Sequence, residues 1–197
     1  MKRTIIMAVL AVMCGGQAFA GTIDTFSTID NLKAAAPVSS ALKQKAEKAI
    51  VAIKDKDFFG LAQLVDPKLG LRFSPDAYIP SNGVVMSKDK VANFFNDNRK
   101  YTWGAEEGTG FPMVMPPSSY YKKYIYTMDF IALDPVYNGR GGNTNMGNIL
   151  EICPGALIAD FYYPGTAAMG NNDWRSLRLV FNRDLYLVAI VYGAWSI

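Results

Sequence analysis

The sequence contains no histidine among its 197 residues. This absence excludes the Ser-His-Asp and Cys-His catalytic arrangements in their usual forms, and it removes a common ligand of zinc sites. It also removes the side chain that ordinarily changes charge near neutral pH. Acid–base chemistry is left to Asp, Glu, Tyr, Lys and cysteine, and the sequence names no enzymatic reaction.

Cysteine is almost as scarce, with Cys14 and Cys153 alone in the chain. Cys14 lies in a segment that we predict to be removed, so Cys153 has no intrachain disulfide partner. Without a histidine to hold it as a thiolate, Cys153 is interpreted as a small buried apolar residue. The Gly- and Asn-rich stretch Asn138–Asn148 lacks the lysine of a phosphate-binding loop, and we predict a turn-forming loop there. Neither a cofactor nor a metal is predicted.

One long apolar run occurs, and it lies near Met1. Lys2 and Arg3 precede the run Ile5–Met13, and Ala18-Phe19-Ala20 follows it with small residues at its first and third positions. This layout is typical of a secretory signal peptide cleaved after Ala20. A retained membrane-anchoring helix is the alternative. We therefore predict a soluble periplasmic or secreted protein with no membrane span after cleavage.

An excess of one charge is also absent from the predicted mature chain. The 20 basic and 17 acidic residues of the full chain become 18 and 17 once residues 1–20 are removed, a net charge of +1. Because no cluster of Lys and Arg alternates with aromatic residues, no nucleic-acid partner is predicted. Residues 21–197 are enough for one domain with its own core, and we predict a single domain. The sequence carries no signal for an oligomeric state.

Helical spacing dominates the first part of this domain. After Ser39 or Ser40, which can cap a helix, apolar residues recur on one side of the chain. These residues are Leu42, Ala46, Ala49, Ile50 and Ile53. A shorter helix is predicted before Pro67, and further helices are predicted from Ser87 and from Ser118 or Ser119.

Alternating apolar and polar residues indicate strands after Asn148. We predict one strand in "ILEICPGALIADFYYPG", with a bulge at Pro154-Gly155, a second in "WRSLRLVF" and a third in "LYLVAIVYGAW". Joined by short turns, these strands form an antiparallel meander. The predicted fold class is α+β, with N-terminal helices packed on a curved antiparallel sheet.

Several spaced segments carry a resemblance that covers the chain from roughly Phe59 onward. They are "LVDPKLGLRFSPDAYI", "YTWG", "YYKKYIYTMDF", "ADFYYPG" and "DWRSLRLVF". Together they resemble a group of exported bacterial proteins and lipoproteins of unassigned function. The layout is also similar to the nuclear-transport-factor-2-like (cystatin-like) cone, which implies a ligand pocket but no particular activity. In that group histidines stand where this sequence has Tyr162 and Tyr192, so any chemistry of those histidines does not carry over.

Arg178 is the first candidate site residue. On its strand it shares a face with Ser176 and Val180, while the other face is apolar, so we expect the sheet to be covered on both sides. A buried guanidinium must be paired, and Asp160 on the preceding strand is the predicted partner. The pair would form the floor of a pocket walled by Tyr162 and Tyr192, with Trp174 at its rim. The alternative places Arg178 on a solvent-facing surface.

Two carboxylates form the second candidate. A bulge would bring Glu151 and Asp160 to the same side of one strand, where paired carboxylates can transfer protons. Alternatively, each is solvated or paired with a basic residue such as Arg178. An aromatic cluster at helical spacing has two similar interpretations. It forms either a stacking platform or part of the core, and its members are Tyr120, Tyr121 and Tyr124.

These candidates predict a module without nameable enzymatic activity that binds a small molecule or an envelope protein through a cone-shaped pocket. The alternative is a histidine-free hydrolase or isomerase that uses Asp160 with Glu151 or a tyrosine. A third hypothesis is a structural or assembly role at the cell envelope. It predicts a filled core and an exposed apolar patch instead of a pocket.

Overall fold

The structure is a computed structural model that describes residues 39–106, 108–142 and 144–194. Helix α1 (Ser40–Lys54) begins after Ser39, whose Oγ accepts a hydrogen bond from the Leu42 amide at 3.2 Å. The short helices α2 (Phe58–Ala62) and α3 (Lys88–Ala92) begin after Asp57 and Ser87, whose side chains cap them in the same way. These three helices confirm the predictions made from capping residues and helical spacing.

Two helices in the second half differ from the predictions. Helix α4 (Pro117–Tyr120) begins near the predicted position and continues as a π-helical turn over Tyr121–Ile125. Helix α5 (Ile149–Ile152) lies where a strand was predicted. The backbone forms a helical turn there, in which the amides of residues 151 and 152 both donate to the carbonyl of residue 148. Pro154 and Gly155 then form a turn ahead of the strand, so the predicted bulge within it is wrong.

In the part of the chain that the structure describes, eight strands form a six-stranded sheet and a separate hairpin. They are β1 (Leu71–Ser74), β2 (Val85–Met86), β3 (Tyr101–Ala105), β4 (Pro112–Met115), β5 (Val136–Tyr137), β6 (Leu157–Tyr163), β7 (Arg175–Phe181) and β8 (Leu187–Ala194). The sheet order is β2-β1-β8-β7-β6-β5, and β3 pairs with β4. The antiparallel meander β6–β7–β8 confirms the prediction. Strand β1 pairs in parallel with β8, so the sheet is mixed rather than antiparallel throughout.

Both faces of the sheet are covered, and we call them the helix face and the loop face. The helix face packs against α1 and a cluster of aromatic rings that includes Phe73, Phe94, Trp103 and Tyr120. The loop face carries a smaller apolar cluster in which Ile158, Val180, Ala189 and Val191 meet Ile79 and Ile149. The alternation in β7 predicted that both faces would be covered. The helix face is filled with side chains.

Two of the sequence predictions lie outside the described residues. They are the signal peptide at residues 1–20 and the contribution of Trp195 to the last strand. Within the described ranges, no helix combines the length and the apolar character that crossing a bilayer requires.

Candidate functional site

Arg178 and Asp160 form an ion pair at the centre of the loop face. They lie directly opposite each other on β7 and β6, and Arg178 Nε donates to Asp160 Oδ2 at 3.2 Å. The exposed fractions of the two side chains are 1% and 0%. The predicted partnership is therefore confirmed, and the alternative of a solvent-facing Arg178 is wrong.

The Asp160 carboxylate is held by three donors. Ser176 Oγ donates to Oδ1 at 2.6 Å, and the amide of Gly141 donates to Oδ2 at 2.9 Å, beside the bond from Arg178. Both carboxylate oxygens are therefore engaged by neighbouring donors.

The Arg178 guanidinium is held less completely. Its Nη2 donates to Thr144 Oγ1 at 2.8 Å, and that hydroxyl in turn donates to the Gly141 carbonyl at 2.9 Å. The Thr144 carbonyl accepts from the exposed Arg140 at 3.2 Å. Nη1 of Arg178 is buried and has no hydrogen-bond partner among the described residues. Buried polar atoms are normally satisfied, so this nitrogen marks an unused donor inside the fold.

We call residues 138–142 and 144–148 the covering loop, because they lie over this ion pair. Gly141 sits so close to Tyr162 that a Cβ added there would overlap the Tyr162 Cβ. At the other end, the side-chain amide of Asn148 forms two hydrogen bonds with the backbone of Ile79. The Ile79 N–H donates to Asn148 Oδ1 at 2.7 Å, and Asn148 Nδ2 donates to the Ile79 carbonyl at 3.0 Å. The loop is thus held to the sheet at Gly141 and to the segment after β1 at Asn148.

Two aromatic candidates, Tyr162 and Trp174, lie beside the ion pair on the loop face. Tyr162 is on β6 and half-buried, and Trp174 precedes β7 and is also half-buried. Their ring centroids are 6.4 Å apart with an interplanar angle of 42°. Since Tyr162 also packs on Gly141 and Gly142, its ring borders the covering loop.

Tyr192 and Glu151 do not join the site. Tyr192 pairs with Leu177, which places it on the helix face, where Thr127 Oγ1 lies 3.4 Å from its hydroxyl. Burial raises the pKa of Tyr192, in keeping with that location. Glu151 is exposed on α5 rather than held in a strand. The predicted carboxylate pair within one strand is therefore wrong.

The other sequence candidates belong to the core or to the surface. Tyr120 is buried and stacks on Trp103 with ring centroids 3.8 Å apart, which confirms the core interpretation over a stacking platform. Cys153 is half-buried, and burial raises the pKa of its thiol despite a smaller opposing effect of Arg72. Over the described ranges, no group of three or more His, Cys, Asp or Glu side chains is arranged to hold a metal ion.

A surface groove of about 660 Å³ lies elsewhere, between α1 and α2. Its lining mixes apolar side chains such as Val51 and Leu64 with the charged Glu47, Lys48 and Asp57. None of the predicted site residues lines it. The groove is thus separate from the polar network around Arg178.

The sequence missed three members of that network. Ser176 was placed on the face of Arg178 by alternation, but its role as a donor to Asp160 was not predicted. Thr144 and Gly141 were seen only as parts of a turn-forming stretch, and they reach the site across 34 and 19 positions of sequence. The concentration of glycine in this stretch was the available signal, because close backbone approach requires a residue without a Cβ.

Gly141→Ala is expected to lower the free energy of unfolding by about 1–3 kcal/mol, the usual range for overpacking. The added methyl group would overlap the Tyr162 Cβ, an atom that cannot rotate away. Gly139→Ala is the matched control, since its Cβ would meet Val136 Cγ1 at 3.3 Å. Urea unfolding of both variants measures the difference. Equal stabilities would show that the covering loop does not pack as described.

Comparison with known proteins yields no match. No protein-family model matches this chain, and no curated protein or solved structure is significantly similar to it. The resemblance to exported bacterial proteins and to the cone-shaped fold therefore stays a prediction. No residue of the site takes its role from a relative.

Proposed function

We propose that this protein is a binding module that holds a small ligand between the covering loop and the loop face of the sheet. The observation that carries the proposal is the unused Nη1 donor of Arg178, a side chain that is fully buried. Burying a guanidinium costs free energy. A buried arginine is therefore retained most readily where its N–H groups bind a partner or a ligand. Export, predicted from the sequence, is part of this proposal.

The energetics of the ion pair support a role beyond stability. Replacing a buried ion pair by apolar side chains of similar volume is often neutral or stabilising, so such a pair is weak evidence for a purely structural purpose. Its neighbours in the sheet, Val136 and Val191, are apolar, and apolar residues would fit the same row. The sheet instead carries Asp160 and Arg178 under a loop rich in glycine.

The hydrolase or isomerase alternative has less support. It requires Asp160 to act with Glu151 or a tyrosine, but the Asp160 oxygens already accept from three donors. Glu151 is exposed on a different element. A role in binding an envelope protein stays the second hypothesis, and it would use an outer surface instead of the buried network.

The proposal is tested with a fixed panel of small molecules: butyrate, inorganic phosphate, butan-1-ol, n-butylammonium and glucose. Ligand-induced chemical-shift changes in the amide NMR spectrum of the purified protein detect binding, and hydrogen exchange with mass spectrometry locates it. We expect at least one compound to bind and to slow amide exchange in the covering loop, while exchange in α1 is unchanged.

Two results would contradict the proposal. One is the absence of binding by every compound in the panel. The other is binding that alters exchange elsewhere, for example along the groove between α1 and α2, and leaves the covering loop as it was. In that second case the protein binds ligands, but not at the site of Arg178.

A further inference from the structure

We infer that the ligand is a small monocarboxylate whose carboxylate is bound by the free end of the Arg178 guanidinium. This inference rests on the proposed function and adds the chemical class of the ligand. Nη1 and Nη2 project side by side from the end of the planar group, a spacing that matches the two oxygens of a carboxylate. Of these two, Nη1 has no partner among the described residues.

The charge around the site favours one negative charge on the ligand. Three charged side chains belong to the network: Arg178, Asp160 and Arg140, which donates to the Thr144 carbonyl. They sum to +1, and a monocarboxylate would bring the total to zero. The Asp160 charge is already compensated by hydrogen bonds from Ser176 and Gly141, so it opposes an incoming anion less than a free carboxylate would.

The surroundings also limit the size and the character of the ligand. Gly141, Thr144 and Ser176 are small residues that bound the ion pair, and the adjacent loop-face cluster is apolar, with Val180 and Val191 among its members. A short aliphatic chain would find apolar contacts there and would need no further hydrogen-bond partners. Sugars and extended polar molecules would leave hydroxyl groups unpaired.

Access follows from the way the covering loop is attached. Two side-chain bonds hold its middle, from the Gly141 amide to Asp160 and from Arg178 to Thr144, together with the packing of Tyr162 on two glycines. A carboxylate that binds Nη1 can enter only when this part of the loop moves away from Tyr162. Entry therefore requires a transient opening of the loop, and a carboxylate bound beneath the closed loop holds it in place, so slower amide exchange in the loop reports the site.

The closing experiment compares butyrate with butan-1-ol, which has the same chain and no charge, and with n-butylammonium, which has the opposite charge. We expect butyrate to bind at least about tenfold more tightly than either, the factor expected from one hydrogen bond to a charged group. Inorganic phosphate tests whether any anion suffices, and butyrate is expected to bind more tightly than phosphate. Dissociation constants come from NMR titration.

Arg140→Gln tests the charge argument at an exposed side chain, although it also removes the hydrogen bond to the Thr144 carbonyl. We expect the dissociation constant of butyrate to rise about two- to fivefold, as for loss of an exposed ionic contact. Arg183→Gln is the matched control, because Arg183 is also an exposed arginine and lies in the turn between β7 and β8. Its butyrate affinity is expected to equal that of the wild type.

The outcomes separate this inference from the proposed function. If butan-1-ol or phosphate binds as tightly as butyrate and slows exchange in the covering loop, the protein binds ligands there but the monocarboxylate class is wrong. Equal butyrate affinity of the two arginine variants would also count against the charge argument. If no compound binds at all, both the inference and the proposed function fail.

Discussion

Replacement of Arg178 by Met is expected to lower the free energy of unfolding by about 3–5 kcal/mol, the range for breaking a buried ion pair. Methionine approximates the volume of the arginine stem, so most of the loss comes from Asp160. Its carboxylate would stay buried with an exposed fraction of 0% and would lose its only cationic partner among the described residues. Urea unfolding followed by circular dichroism measures the change.

Two further variants make this test specific. Arg183→Met removes an arginine from an exposed turn and is expected to change the free energy of unfolding by less than about 0.5 kcal/mol. The double variant Asp160→Asn/Arg178→Met removes both charges, so it should be destabilised by less than the sum of the losses measured for Arg178→Met and for Asp160→Asn alone. A loss below about 0.5 kcal/mol for Arg178→Met would mean that the ion pair is not buried as described.

Replacement of Trp103 by Ala is expected to cost about 3–5 kcal/mol, the range for truncating a large core aromatic. Trp103 is fully buried, stacks on Tyr120 and meets Phe73 edge-on at 5.7 Å. Its indole N–H also donates to the Met115 carbonyl at 2.8 Å, which would lose its partner. The midpoint of thermal unfolding and the urea-derived free energy both report the loss.

The Trp103 variant also tests whether the helix face of the sheet is filled. A cone with an open cavity on that face would tolerate the change, because the neighbouring rings would already border empty space. Phe111→Ala is the matched control, since Phe111 is 67% exposed near β4. Its substitution is expected to stay within about 0.5 kcal/mol. Similar stabilities of the two variants would contradict a filled core.

Local patterns predicted the parts of the fold that depend on neighbouring residues. The capping serines Ser39 and Ser87 mark the starts of α1 and α3, because a hydroxyl satisfies an amide within its own first turn. Alternation in β6 and β7 placed Asp160 and Arg178 on compatible faces, and their pairing followed because consecutive strands are usually neighbours in a sheet. No long-range information was needed for either result.

The error at Tyr192 arose where the register between two neighbouring strands decides which face a side chain occupies. Tyr192 was assigned to the face of Arg178, but the register of β7 with β8 aligns Arg178 with Val191 and sends Tyr192 to the helix face. A shift of one residue reverses the face of every side chain in a strand. That register depends on the turn after Phe181 and on an irregularity beside Val180, which alternation alone does not reveal.

The fold class, the meander and the partner of Arg178 could be predicted from the residues alone, because they follow from periodicity and from the cost of an unpaired buried charge. What covers the ion pair became known from the folded structure. Thr144 and Gly141 reach Arg178 and Asp160 from a segment far away in sequence, and the glycine fits because it brings no Cβ against Tyr162. Such contacts depend on where a loop lies in space, and residue type and local spacing do not specify that position.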